Sequence, residues 1–201
     1  MKKTIIASLF VLLGFTACDF LNEVPQDRLS PESYFKTETD LQLFTNPLYD
    51  NLLDKDAYEH QSDHCIHLNL SSELHGGTFR TVPATGGGWS WGNLRRINTL
   101  LGNSFNCENE SVRAHYDAVA RFFRAMFYFE KVKRFGDVPW IDVELGSESE
   151  QLYAPRDSRE LVMQNMIKDI DYAIANLPEK VSTFRVNKWA ALALKAEFCL
   201  Y

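Results

Sequence analysis

Three consecutive glycines, Gly86-Gly87-Gly88, lead into Trp89-Ser90-Trp91-Gly92-Asn93. These residue types suit the recognition of a sugar ring. The apolar C–H face of a pyranose packs on an indole, and its hydroxyls need amide, carboxylate or guanidinium partners around the rim. Glycines let a short loop present a tryptophan outward. Trp91 also has a plain structural reading, because it opens a helical stripe with Leu94 and Ile97 and so suits the core. That reading is preferred for Trp91, whereas Trp89 is expected at the surface. Asp63 and Arg80 are weaker polar candidates for the same rim.

A second cluster invites metal chemistry. His60, His64 and His67 fall at four- and three-residue steps, with Glu59, Asp63 and Cys65 beside them. On a helix His60 and His64 would share one face and hold one metal ion. An extended chain over 63–68 would scatter them instead, and a metal-free polar loop is the preferred reading. No cofactor and no metal are expected. Enzyme signatures are absent from the sequence: there is no His-Glu-x-x-His, no Gly-x-Ser-x-Gly and no Gly-Lys-Ser/Thr phosphate loop. Acidic residues are plentiful, but no pair stands out for glycoside hydrolysis. A binding protein is expected, not an enzyme.

The elements that must position these residues are helical. Thr39 is a candidate N-cap before Leu41, Phe44, Leu48 and Leu52, and Ser30-Pro31-Glu32 is an earlier helix start. Trp91, Leu94, Ile97 and Leu101 mark a second helix. The strongest pattern runs from Ser111, as N-cap, to about Phe135, through Val112, Tyr116, Val119, Phe123, Met126 and Phe127, and Gly136 stops it. Within it Asp117 and Arg121 stand one turn apart and suit an ion pair. Residues 136–157 read as an irregular connection. Asp157, with Glu160 three positions on, is expected to cap a helix whose apolar face is Leu161, Met166, Ile170, Ala173, Ile174 and Leu177, ended by Pro178. Asn187 caps a last helix. Its stripe of Trp189, Leu192, Ala193, Ala196 and Leu200 must be covered either by earlier helices or by further chain. No strand alternation is convincing, so the fold class is all-α.

Composition narrows the partners. The 201 residues carry a formal charge of −6, and no basic footprint for nucleic acid is visible. Lys2 and Lys3 precede a short apolar run at 5–13, and Phe15-Thr16-Ala17-Cys18 follows. This is the pattern of a lipoprotein signal peptide over 1–17 with Cys18 as the acylated residue. An ordinary secretory signal with an incidental cysteine is the alternative. Several acyl chains on one residue anchor a protein stably, whereas one does so only marginally. Residues 18–30 then form a lipidated tether and 31–201 a helical domain. Cys65, Cys107 and Cys199 are odd in number and widely spaced, so no disulfide framework is implied. A Cys65–Cys107 bridge stays open beside buried free thiols.

Several segments, in order, resemble the SusD/RagB family. They are Arg95-Arg96-Ile97-Asn98; Ala120-Arg121-Phe122-Phe123-Arg124-Ala125-Met126-Phe127-Tyr128-Phe129; Arg134-Phe135-Gly136-Asp137-Val138-Pro139; and Pro155-Arg156. The helix end at 169–178, then Arg185-Val186-Asn187-Lys188, Ala193-Leu194-Lys195-Ala196 and Leu200-Tyr201, continue the likeness, and Cys18-Asp19-Phe20-Leu21 matches the lipidated start. The resemblance implies an outer-membrane lipoprotein, exposed at the cell surface, that binds glycans and acts as a lid on a SusC-like TonB-dependent transporter, without chemistry of its own. It implies a tetratricopeptide-like helical scaffold, with helices at 111–135, 158–177 and 187–201, beside irregular ligand-binding loops. The family places ligand contacts in this N-terminal loop region. Trp89 and Asn93 are therefore the first candidates for the glycan, with Trp91, Asp63 and Arg80 behind them. Family members are well over twice as long, so the later helix pairs and much of the ligand-binding region are expected to be missing. Two other readings stay open: a helical-repeat module that binds only protein, and a metal-dependent hydrolase built on His60, His64 and His67.

Overall fold

A computed structural model describes residues 33–51, 86–182 and 184–201. Residues 1–32, which contain the expected leader, the expected tether with Cys18 and the expected start at Ser30-Pro31, lie outside these residues, as do His60, Asp63, His64, Cys65, His67 and Arg80. Among the described residues there are five α-helices: α1 (Glu38–Thr45), α2 (Gly92–Asn103), α3 (Glu110–Phe135), α4 (Arg159–Asn176) and α5 (Lys188–Leu200). Short 3₁₀ turns cover Asn46–Asn51, Ser104–Asn106 and Glu150–Tyr153, and the one β-feature among the described residues is an isolated antiparallel bridge between Val138 and Asp157. The all-α expectation holds. None of these helices is long and apolar enough to cross a membrane.

The caps explain where each helix begins, and three differ from the sequence expectation. Thr37, not Thr39, starts α1: its hydroxyl accepts from the Asp40 N–H at 3.2 Å and the Asp40 carboxylate accepts from the Thr37 N–H at 2.9 Å. This reciprocal pair satisfies two N–H groups, which a cap at Thr39 would leave unpaired. Asn109, not Ser111, starts α3. Its side-chain oxygen accepts from both Ser111 N and Val112 N, at 3.1 and 3.2 Å. Ser158, not Asp157, starts α4, accepting from Leu161 N at 3.3 Å. The Asp157 carboxylate is used elsewhere, accepting from the Trp140 N–H at 2.7 Å. Asn187 caps α5 as expected, accepting from Ala190 N at 2.9 Å.

Helix α3 is the central element, packing against α1, α2, α4 and α5. It buries Tyr116, Val119, Phe122, Phe123, Tyr128, Phe129 and Val132, and ends at Gly136 with φ 70° and ψ −112°. Lys133 and Arg134 in its last turn complement the negative end of the helix dipole. In α4 the buried face is Val162, Met166, Ile170 and Ala173, and Leu161 is 42% exposed. Counting back four residues from Met166 reaches Val162, so Leu161 falls off the stripe. In α5 the packed residues are Ala191, Leu194 and Phe198, while Trp189 is 57% and Leu200 89% exposed. The described helices therefore cover the opposite face of α5 from the stripe read in the sequence.

The Asp117–Arg121 pair gives way to longer-range partners. Arg121 reaches Asp169 on α4 at 3.2 Å, and Arg124 grips the same carboxylate through Nε at 2.6 Å and Nη2 at 2.8 Å. Both arginines thus converge on the buried Asp169 carboxylate, while the buried Oδ1 of Asp117 has no hydrogen-bond partner among the described residues. Cys107 is a buried free thiol donating to the Asn109 carbonyl at 3.8 Å, and Cys199 is exposed and free.

Candidate functional site

Beyond the contacts of Val138 and Trp140 with Asp157, the segment 138–143 has no regular hydrogen bonding, and helix side chains serve the backbone of 141–143. Asn98 on α2 donates through Nδ2 to the carbonyls of Ile141 and Val143, both at 3.0 Å. Its Oδ1 accepts from Arg124 Nη1 at 3.2 Å, and Arg124 Nη1 also reaches the Asp142 carbonyl at 3.3 Å. The Tyr128 hydroxyl accepts from the Ile141 N–H at 2.6 Å, and the Trp140 ring stacks on Tyr128 with centroids 4.3 Å apart. Burial raises the Tyr128 pKa above its ordinary value, so the hydroxyl stays protonated.

This anchored segment forms one wall of a cavity of about 590 Å³. The other walls are the start of α2, with Trp89, Trp91, Leu94, Arg95 and Asn98, and the stretch carrying Gln151, Leu152, Ala154, Pro155 and Arg156. Most of the lining is apolar. Asn98 is engaged by Arg124 and the 141–143 backbone, whereas Arg95, Gln151 and Arg156 and the indole N–H groups of Trp89 and Trp91 also belong to the lining.

Trp89 sits on a turn that only glycine accommodates easily. Gly86, Gly87 and Gly88 have φ of 80°, 60° and 83°, and the Trp89 N–H closes the turn onto the Gly86 carbonyl at 3.0 Å. Gly88 also lies under Arg134: a Cβ there would sit 3.1 Å from Arg134 Nε. The Gly88 carbonyl accepts from Lys131 Nζ. Lys131 is buried among rings, with Nζ 4.9 Å from the Phe127 centroid and 5.7 Å from that of Trp91. Burial, with Arg134 nearby, holds its pKa below the usual lysine value, and the rings offset part of the desolvation cost.

Trp89 is 37% exposed and its ring is clamped. The Trp91 and Phe135 rings meet it edge-on at 5.1 and 4.8 Å, and the Arg156 guanidinium lies over it at 4.9 Å. Arg156 is itself held by the end of α3, with Nη1 donating to the Asp137 carbonyl at 3.3 Å and the Phe135 carbonyl at 3.5 Å. Trp91 is half-buried, touching Phe127 and Tyr128 behind it while still facing the cavity. Trp91 thus packs on the α3 rings on one side and lines the cavity on the other.

Of the sequence candidates, the structure brings together Trp89 and Trp91. Asn93 is exposed and does not line the cavity. Asp63 and Arg80 lie outside the described residues. Arg95 and Arg156 stand in the sequence only within segments that resemble the family; they line one cavity because the start of α2 and the stretch before α4, about 60 residues apart in the chain, fold side by side. The Pro155-Arg156 pair was the available signal. Among the described residues no group of three or more His, Cys, Asp and Glu side chains could hold a metal ion, and the histidine cluster lies outside them.

Comparisons with known proteins agree with this architecture. The SusD-like family described as "starch-binding associating with outer membrane" matches residues 93–200. SusD-like protein P2 of Formosa agariphila is 27% identical, over 89% of this chain and 39% of that protein. SusD-like protein P25 of the same organism is 23% identical, over 97% and 42%. A SusD-like protein of Bacteroides ovatus is 24% identical, over 100% and 39%. The chain thus spans about two fifths of the length of the curated relatives it matches. The crystal structure of a SusD-like protein from Bacteroides fragilis superposes with a TM-score of 0.63 at 23% identity, over 89% of this chain and 38% of that one, and shows the same helical fold. With the family matching more than half of its residues, the chain belongs to the SusD-like family.

Proposed function

We propose that this chain contributes the carbohydrate-binding function of an outer-membrane lipoprotein, anchored through acylated Cys18, exposed at the cell surface, and working with a SusC-like TonB-dependent transporter in nutrient uptake. The observation that carries the reading is the cavity at Trp89 and Trp91. It joins indole rings and apolar walls to a few polar groups, the combination that holds a pyranose by its C–H face and its hydroxyls. The family description, with its starch binding and outer-membrane association, supports it. The role is binding without chemistry.

Affinity electrophoresis and calorimetry of the leaderless protein against starch and other polysaccharides test the reading. Binding is expected, and Trp89→Ala should weaken it by roughly tenfold, the loss of one stacked ring. Absence of binding to every glycan overturns it. Metabolic labelling with palmitate tests the anchor, and Cys18→Ser should abolish the label. A second reading, a module that binds only protein, is favoured by the exposed outer face of α5 with Trp189 and Leu200. Co-purification of the transporter without retention of any glycan would select it.

A further inference from the structure

The cavity is lined by two guanidinium groups, Arg95 and Arg156, and by no carboxylate. That is the reverse of the chain as a whole, whose formal charge is −6. A site for a neutral polymer has no need of this local inversion.

Arg156 is the more telling of the two. Both of its hydrogen bonds leave from Nη1, to the backbone carbonyls of Phe135 and Asp137. It makes no ion pair among the described residues. A guanidinium has five N–H donors in a planar fork, so the Nε and Nη2 side remains to be used. The carbonyls hold the fork in place, and the Trp89 ring, 4.9 Å away, supports its face. Such a fork fits a carboxylate or sulfate bidentately, while a sugar hydroxyl accepts only one of its donors. Arg95 at the rim is 65% exposed, and its one carboxylate contact, Nε to Glu144 at 3.4 Å, is long and solvated. An exposed pair of that kind is easily exchanged for a ligand anion.

We infer that this cavity takes an anionic oligosaccharide, its carboxylate or sulfate group held by the Arg156 fork with Arg95 at the entrance and its apolar face against the Leu94, Ile141 and Leu152 wall. The inference rests on the carbohydrate-binding reading and sharpens its substrate class.

Calorimetry on the leaderless protein decides it, with three probes of equal length: an oligogalacturonate, a sulfated galactan oligosaccharide and a neutral malto-oligosaccharide. At least one anionic probe should bind roughly tenfold or more tightly than the neutral one, and the better of the two identifies the group as carboxylate or sulfate. Arg156→Gln should remove that preference by weakening the anionic probe far more than the neutral one, and Arg156→Lys should restore part of it. If Arg156→Gln lowers the melting temperature, Arg95→Gln replaces it, because an exposed side chain can be changed without loss of fold. It should lower anionic affinity by about threefold or more. Equal or tighter binding of the neutral probe overturns the inference and leaves the carbohydrate reading standing, as does an equal loss for all probes in Arg156→Gln. Failure of all three probes on the wild-type protein overturns this inference, while binding of any other glycan keeps the carbohydrate reading.

Discussion

Arg124 on α3 grips Asp169 on α4 with two parallel bonds, Nε to Oδ2 at 2.6 Å and Nη2 to Oδ1 at 2.8 Å. Both side chains are buried, and Arg121 adds a third bond to the same carboxylate at 3.2 Å. The pair ties the two longest helices together and also reaches the cavity wall, since Arg124 touches Asn98 and the Asp142 carbonyl.

Breaking the pair from one side should be costly. Asp169→Ala leaves a buried guanidinium without its counter-charge, and the expected loss is about 3–5 kcal/mol of unfolding free energy. Arg124→Met combined with Asp169→Leu should lose clearly less, because neither charge is then stranded. Urea unfolding followed by circular dichroism measures both, and an Asp169→Ala loss below that of the double variant would refute the account.

Asn98→Asp should damage the cavity specifically. The carboxylate cannot donate to the Ile141 and Val143 carbonyls; that of Val143 loses its donor, while that of Ile141 keeps the Tyr128 hydroxyl at 3.2 Å. The expected cost is about 1–3 kcal/mol per stranded group, and ligand binding should weaken because Ile141 and Val143 line the site. Melting temperature and ligand calorimetry, measured on the same variant, check the two effects.

Gly136→Ala should cost about 1–3 kcal/mol through backbone strain alone. Gly136 combines φ 70° with ψ −112°, which side-chain-bearing residues avoid, while a Cβ there would meet nothing within 4 Å. Arg156 is anchored to the Asp137 carbonyl next to this turn, so a shift should also show in Trp89 fluorescence.

His115 makes stability depend on pH. Its pKa is lowered by burial, with Arg185 acting in the same direction and Glu38 opposing. The folded state then binds protons less readily than the unfolded chain, so stability is lost as pH falls from the ordinary value of 6.5 toward the lowered one. Comparing melting temperatures at about pH 7.5 and about pH 5, the wild type should lose more than His115→Gln. Equal losses would show that the imidazole does not contribute.

Thiol labelling should separate the two described cysteines. In the native protein maleimide should modify Cys199, which is exposed, and leave the buried Cys107 until denaturant is added. Peptide mass spectrometry identifies the site, and rapid native labelling of Cys107 would contradict its burial.

The helices and their class were legible from the sequence because burial writes a periodic stripe into each one. Tyr116, Val119, Phe123, Gly136 and Asn187 do in the structure what their spacing and type predict. Ordered motifs such as Arg134-Phe135-Gly136-Asp137 pointed correctly to the SusD-like family. The same local reasoning misplaced three caps by one or two residues. Thr37, Asn109 and Ser158 win because their side chains reach the free N–H groups, a matter of backbone direction that composition does not encode.

What only the tertiary structure decided is who meets whom. Leu161 and Val162 are equally apolar, and packing against α3 chose Val162. Asp117 stood one turn from Arg121, yet the arginine went to Asp169, 48 residues away, because a buried carboxylate gathers donors from whatever element passes closest. Trp89 could be singled out by its type and its glycines. Arg156, which lies over its ring, and Arg95, which lines the same cavity, could not, since they share a surface only when α2, the end of α3 and the stretch before α4 fold together. The sequence by itself determined the class, the helices and the family; the charge of the cavity wall, and with it the class of ligand it suits, exists only once those distant segments share a surface.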